Sequence, residues 1–271
     1  MASKVIGPRG ADNSGVYRRP RVVLRPRKIG EIADILGRPK VYPAPVRPVG
    51  ADYSQTRCVG GDGGTALDTA SLNKVLEFGV DSVRVQAGVR LGDLVRLLTE
   101  RGMELPLTPE IGNISVGALV ATTLPQPSYG PGLAQMSSCA TELKVISPQG
   151  RQITITERDP ALMRVLRSSF GLLGIVHEAV LRIRHQIPVK IEYQSLSLRE
   201  FSSRFANIVG APGALRLHVS PFHDRITIER RVLDVEAGIS RSGIWQVRNS
   251  VMRNVLPAFG STVGSVLSAP G

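Results

Sequence analysis

Between residues 81 and 102 the hydrophobic period changes from two residues to between three and four. Val83, Val85, Ala87 and Val89 alternate with Ser82, Arg84, Gln86 and Gly88, the pattern of a strand with one buried face. Leu91, Leu94, Val95 and Leu98 then share one helical face, and Gly102 supplies the C-terminal stop. A chain with this switch needs both a sheet layer and a helix layer around its core.

The rest of the sequence repeats the mixture. Residues 30–37 place Ile32, Ile35 and Leu36 on one face of a short helix, and 41–48 make an extended, Pro-punctuated approach to the next segment. Residues 143–146 and 152–156 read as strands joined by a turn at Ser147-Pro148-Gln149-Gly150. Asp159 and Pro160 open a helix that runs to about Arg167. Residues 175–185 alternate as a strand, in which His177 is expected to face solvent. Ser197-Leu198-Arg199-Glu200 is a capping box for a helix over about 198–209, and 215–220 and 225–231 read as two further strands. Short hairpins interrupt the alternation of strands and helices, so the fold class is α+β, with a boundary expected near residue 186.

Composition narrows the function. At 271 residues with 42% hydrophobic and 21% charged, the chain can bury a substantial core. Aromatics make up only 4%, which argues against an aromatic stacking platform for nucleic acid, and no nucleic-acid partner is expected. The net charge of +12 is concentrated at the ends: residues 1–48 carry eleven Lys or Arg against Asp12, Glu31 and Asp34. This basic arm reads as solubilising, with binding of residues 1–48 to an acidic surface as the alternative. Cys58 and Cys139 cannot form a disulfide scaffold, and the four histidines make no metal-binding spacing, so no metal site is expected. The first ten residues contain no apolar signal segment, and Pro and Gly break the long uncharged stretch after Asn254. A cytoplasmic protein without a membrane span is the expectation.

Three segments carry chemistry. Pro48-Val49-Gly50-Ala51-Asp52-Tyr53-Ser54-Gln55-Thr56 ends an apolar approach in a turn whose backbone amides can face an anion. The run from Pro109 to Thr123 is rich in small residues, which lets the backbone approach a flat ligand. Ser168-Ser169-Phe170-Gly171-Leu172-Leu173-Gly174-Ile175-Val176 runs through two glycines into a strand. Taken singly, these read as a surface turn, a tight packing element and a loop-to-strand connection.

Together, in this order and spacing, they resemble the FAD-binding domain of the vanillyl-alcohol oxidase / p-cresol methylhydroxylase (PCMH-type) flavoprotein superfamily. The likeness covers roughly residues 20–185 and includes Leu72-Asn73-Lys74-Val75-Leu76 and the V-x-V-x-A-G-V strand at 83–89. It implies a two-subdomain PCMH-type FAD-binding domain at 20–185 between a basic arm at 1–19 and an incomplete α+β substrate or cap region at 186–271. By this resemblance Val49, Gly50, Ala51, Asp52, Tyr53, Ser54 and Gln55 wrap the FAD pyrophosphate. Ile111, Gly112, Val116, Gly117, Ala121, Thr122 and Thr123 line the cofactor along its length. Gly174, Ile175 and Val176 lie by its adenine and ribitol end. A dianionic diphosphate needs many N–H donors, and flat rings need small residues and apolar walls.

Many members of the superfamily carry G-x-G-H-S in the first loop, with the His bonded to flavin. Here Tyr53 stands at that position, which excludes a histidyl–flavin bond there and implies non-covalent FAD. The implied function is an FAD-dependent oxidoreductase, or its FAD-binding portion. Hydride would pass to flavin N5 from a small substrate bearing a hydroxyl or amine. The alternative is a non-catalytic or electron-relay FAD subunit. The expected partners are that substrate and a partner chain or second copy completing the substrate region. No catalytic base is assigned within these residues.

Overall fold

The computed structural model describes residues 20–51, 63–107, 112–127, 133–219 and 224–236. The basic arm, the loop residues Asp52, Tyr53, Ser54 and Gln55, and Ile111 lie outside the described residues.

Strand β1 (Val22–Leu24) leads into helix α1 (Ile29–Gly37), and β2 (Val46–Val49) follows. β3 (Thr65–Asp68) pairs in parallel with both strands and sits between them. Helix α1 buries Ile32 and Ile35 on this small sheet against Leu24, Leu67 and Leu72. Asp68 closes β3: its carboxylate accepts from the Ala70 N–H at 2.8 Å and from Arg25 Nε at 2.8 Å.

The second sheet is antiparallel and has five strands. β4 (Val75–Phe78) and β5 (Ser82–Gln86) precede helix α2 (Leu91–Thr99) and the short strand β6 (Met103–Glu104). Helix α3 (Val116–Ala121) and a hairpin of β7 (Pro125–Pro127) and β8 (Leu133–Gln135) come next. β9 (Ala140–Ile146), β10 (Gln152–Thr156), helix α4 (Pro160–Leu166) and β11 (Ile175–Arg182) complete the unit, in the sheet order β10-β9-β11-β5-β4.

The period change read in the sequence reappears as burial. Val83 and Val85 of β5 and Leu91, Leu94 and Leu98 of α2 belong to one apolar core, with Val116, Leu119 and Val120 of α3 and Leu143 and Val145 of β9. Leu94, Leu98 and Leu119 are fully enclosed. Truncating a side chain of that kind to Ala costs about 2–5 kcal/mol. Gly102, at φ +70, ends the α2 segment. Asp159 caps α4 through the Leu162 N–H at 3.1 Å, with Pro160 in the first turn. The sheet's opposite face carries a charged cluster. Arg84 donates to Glu142 at 2.7 Å and to Glu178 at 2.8 Å, and Lys144 lies 2.6 Å from Glu178. Ile146 and Ile175 join the core beneath α1, so the two sheets share apolar packing.

β12 (Arg184–His185) pairs with β6. A third sheet follows, built from β13 (Val189–Leu196), helix α5 (Leu198–Gly210), β14 (Ala214–Val219) and β15 (Ile226–Leu233), with β15 central. Its core is Leu196, Ile208, Ile226 and Ile228. The capping box of α5 is complete: Ser197 Oγ accepts from the Glu200 N–H at 3.2 Å, and Glu200 accepts from the Ser197 N–H at 2.9 Å. Arg230 satisfies the other end of the helix, donating to the carbonyls of Ala211 at 2.8 Å and Pro212 at 3.0 Å. By backbone proximity the chain divides into one unit of residues 1–186 with 191–232 and a second of 187–190 with 233–271. Within the second unit, the Asp234 N–H donates to the Pro188 carbonyl at 2.9 Å.

Candidate functional site

The described parts of the three segments meet. β2 ends at Val49, whose carbonyl accepts from Thr69 Oγ1 at 3.1 Å. Gly50 follows directly, packed so closely on α3 that a Cβ there would overlap Ser115 Oγ and come within 3.7 Å of Ala118 Cβ. Only glycine lets this backbone lie against the start of α3. At the other end of α3, the Ala121 carbonyl accepts from the Phe170 N–H at 2.9 Å. Phe170 takes φ +50, and Gly171, at φ +74, leaves no room for a side chain beside the ring of Pro48. The first segment therefore touches the second at Gly50, the second touches the third at Ala121, and the third returns to the first at Pro48.

Backbone hydrogen bonds hold the second segment along the continuation of β5. The Leu91 N–H donates to Ile114 O at 2.9 Å, and the Gly92 N–H to Gly112 O at 2.8 Å. In the other direction, the Val116 N–H donates to Val89 O at 2.9 Å and the Gly117 N–H to Ala87 O at 2.7 Å. Arg90 Nη1 adds a bond to Asn113 O at 2.8 Å. These bonds explain the small residues: Ala87 and Gly117 lie back to back, with a Gly117 Cβ only 3.0 Å from that of Ala87. They also limit what the segment can offer. The amides of Val116 and Gly117 are already engaged, and Ser115 Oγ takes the Ala118 N–H at 3.4 Å. Half-buried Gly117 can therefore line a flat ligand by contact, whereas the Val116 side chain is enclosed in the core, and donors for an anion must come from elsewhere, such as the loop that starts at Gly50.

The remaining candidates are placed as follows. Ala121 is buried, Thr122 is half-buried with its hydroxyl donating to Ala118 O at 2.7 Å, and Thr123 and Gly112 are exposed. Ala51 is half-buried. Gly174 turns the chain into β11 at φ +142. Ile175 and Val176 are buried on opposite faces of β11, Ile175 in the core beneath α1 and Val176 in the core under α2 and α3, so only their backbones are open to polar contacts. Cys139 is buried, and desolvation pushes its thiol pKa up. No group of acidic, His or Cys side chains that could hold a metal occurs among the described residues. Among the same residues no helix is long and apolar enough to cross a membrane.

His177 departs from the expected solvent-facing position. It is 1% exposed, and both ring nitrogens are buried without a hydrogen-bond partner. His177 has the parity of Ala179, Leu181 and Ile183, all buried, so the alternation of β11 itself accounts for its burial. A bulge beside it, where Val176 pairs with Val145 and Glu178 with Lys144, leaves His177 without a β9 partner and brings Val176 into the same core. The His177 carbonyl accepts from the Ala87 N–H at 2.9 Å. Burial lowers its pKa from 6.5 to about 4, with Glu178 opposing the shift and Lys144 adding to it. Simple period-two reading carries no signal for the bulge, nor for the contacts that bring Phe170 and Gly171 to the junction.

The junction suits a flat, diphosphate-bearing cofactor. Gly50, Gly117, Ala118 and Gly171 are half-buried and bring backbone and small side chains together, and none of the junction residues named here is acidic. Comparison with known proteins agrees. A family model described as an FAD binding domain matches residues 20–156, half of the chain. The D-arabinono-1,4-lactone oxidase of Eremothecium gossypii is 27% identical over 86% of this chain and 45% of its own length. The mitochondrial L-galactono-1,4-lactone dehydrogenase 1 of Oryza sativa subsp. japonica is 30% identical over 62% of this chain and 29% of its own. The L-gulono-1,4-lactone dehydrogenase of Mycobacterium tuberculosis is 24% identical over 76% and 47%. The crystal structure of cholesterol oxidase from B. sterolicum superimposes with a TM-score of 0.65 at 17% identity, covering 87% of this chain and 51% of that one. The chain thus spans less than half the length of these curated relatives. It belongs to the FAD binding domain family of PCMH-type flavoproteins, with FAD as its cofactor.

Proposed function

We propose that this chain is the FAD-binding portion of an oxidoreductase that oxidises a small polyhydroxylated substrate, a sugar 1,4-lactone or its close kin. The observation that carries the reading is the closed contact of three segments, at Gly50 on Ser115, Ala121 on Phe170 and Gly171 on Pro48, inside the region matched by the family model. The substrate class follows from the relatives, which are named for 1,4-lactones.

When bound, FAD supplies a two-electron acceptor for hydride. The chain's own residues bind and orient it. Val49, Gly50 and Ala51, continuing into Asp52, Tyr53, Ser54 and Gln55, hold the diphosphate through backbone amides. Gly112, Gly117, Thr122 and Thr123, with Ile111, give the flat face its wall, and the buried Val116 and Ala121 support it from beneath. The backbones of Gly174, Ile175 and Val176 fix the far end. Tyr53, in place of a histidine, leaves the cofactor non-covalent. Residues 186–271 contribute to the substrate region, with β13, α5, β14 and β15 among its described parts.

The test is anaerobic titration of the FAD-loaded protein with a panel of aldono-1,4-lactones. Bleaching of the oxidised flavin band supports the reading. A loaded protein that no lactone reduces overturns the substrate class.

A further inference from the structure

We propose that His218 meets the reacting hydroxyl of the substrate and takes its proton, with Glu229 as its positioning residue. This rests on the reading of the chain as part of an FAD-dependent oxidoreductase.

Three observations support it. First, β14 and β15 gather a polar cluster on the face away from α5. Arg216 pairs with Glu229 and His218 with Thr227, so by alternation Arg216, His218, Thr227, Glu229 and Arg231 share one face. The other face carries Leu215, Ile226 and Ile228, which pack with Ile208 of α5. Second, the cluster is built around a buried charge. Glu229 is 1% exposed, and its Oε1 accepts from Arg231 Nε at 2.6 Å. Its Oε2 lies 3.4 Å from His218 Nε2. Burial pushes the Glu229 pKa up, but Arg231, His218 and Arg216 outweigh this and hold it below its ordinary value. An ionised carboxylate only accepts, so Nε2 of His218 carries the proton and Nδ1 is left as an acceptor. The His218 side chain is half exposed, and among the described residues no group bonds Nδ1. A carboxylate behind an imidazole fixes its tautomer and stabilises the imidazolium that forms when the ring takes a proton. Third, β14 is the edge strand of its sheet and lies against β7, which starts two residues after Thr123 of the cofactor wall. His218 therefore belongs to the strand of the third sheet that adjoins the continuation of that wall.

The step balances. The substrate O–H bond breaks and its proton passes to Nδ1 of His218. The C–H electron pair leaves with its hydrogen as hydride to FAD, and a carbon–oxygen double bond forms, so the substrate loses two electrons and FAD gains two.

The experiment compares FAD-loaded wild type with His218→Gln and Glu229→Gln on the panel of aldono-1,4-lactones. Flavin reduction is followed by anaerobic stopped flow across pH, and lactone affinity is read from the concentration dependence of the rate. His218→Gln is expected to slow reduction about 100-fold or more, to change lactone affinity by less than about threefold, and to lose the rise of rate with pH that wild type shows. Glu229→Gln, which no longer fixes the tautomer, is expected to slow reduction by less. A His218→Gln rate within about threefold of wild type overturns the proposal. Wild type that takes up FAD but is reduced by no lactone overturns the substrate class, and imidazole nitrogen NMR of wild type then decides on His218. A His218 resonance that moves on adding the lactones or sorbitol supports the hydroxyl contact, and one that stays in place refutes it. The same spectrum decides if the variants fail to fold.

Discussion

Gly171→Ala tests the closed junction through two separable effects. At φ +74 an alanine pays for the left-handed conformation, about 1 kcal/mol. Its Cβ would also overlap Pro48 Cγ and approach Pro48 Cδ to 3.0 Å. Overpacking of that kind costs about 1–3 kcal/mol. The expected total is about 2–4 kcal/mol, read as a fall in denaturant midpoint at constant m-value. Pro48→Ala removes the ring carbons that the new methyl group strikes. In that background Gly171→Ala should lose only the conformational part, about 1 kcal/mol, leaving a coupling energy of about 1–3 kcal/mol between the two sites. FAD affinity should fall with Gly171→Ala and recover in part in the double variant, because the same contact holds the first and third segments together. A penalty below about 0.5 kcal/mol, or one that is the same with and without the Pro48 ring, would refute the contact and with it the closure of the junction.

Four further outcomes follow from the structure. His177→Leu should flatten the acid side of the stability curve. Because the folded pKa of His177 is depressed, its contribution is present above pH 6.5 and lost as pH falls to about 4, worth about 3 kcal/mol in wild type and absent in the variant by chemical denaturation. Glu178 adds a second acid limb at lower pH. Its burial pushes the pKa up, but hydrogen bonds from Lys144 and Arg84 outweigh this and hold the carboxyl below 4.5, so stability present above that value drains away as pH falls below it. Glu178→Gln should remove this limb, measured as the pH dependence of the thermal midpoint. Leu94→Ala, at a fully enclosed position in the core under α2, should cost about 2–5 kcal/mol, whereas Ser197→Ala, which breaks an exposed capping box, should cost about 1 kcal/mol, both by urea unfolding.

The sequence was most legible where one local pattern decides the structure. β5 and α2 were readable because a half-buried strand and an amphipathic helix impose different periods on adjacent residues, and the capping box of α5 because both its partners lie within four residues. β3 was not readable, since Thr65, Ala66 and Leu67 are all buried and no alternation survives in a central strand. β13 was missed for the opposite reason: most of it is exposed, so its face carries little apolar signal. At the site, glycine-rich spacing located the three segments but not their contacts. The meeting of Gly171 with Pro48 spans more than a hundred residues and is set by how the sheets pack. The burial of His177 is contained in its shared parity with Ala179, Leu181 and Ile183, whereas the bulge that brings Val176 into the same core leaves no mark on the sequence. Arg230, inside the strand read at 225–231, closes the end of α5 by bonds to carbonyls about twenty residues away, a contact no local pattern contains.

The central claim is that this chain folds a working FAD site, and the most direct measurement is the visible absorption spectrum of the purified protein before and after acid precipitation. Flavin bands are expected in the native protein and leave with the supernatant, as non-covalent FAD must. A colourless protein that also takes up no added FAD would contradict it.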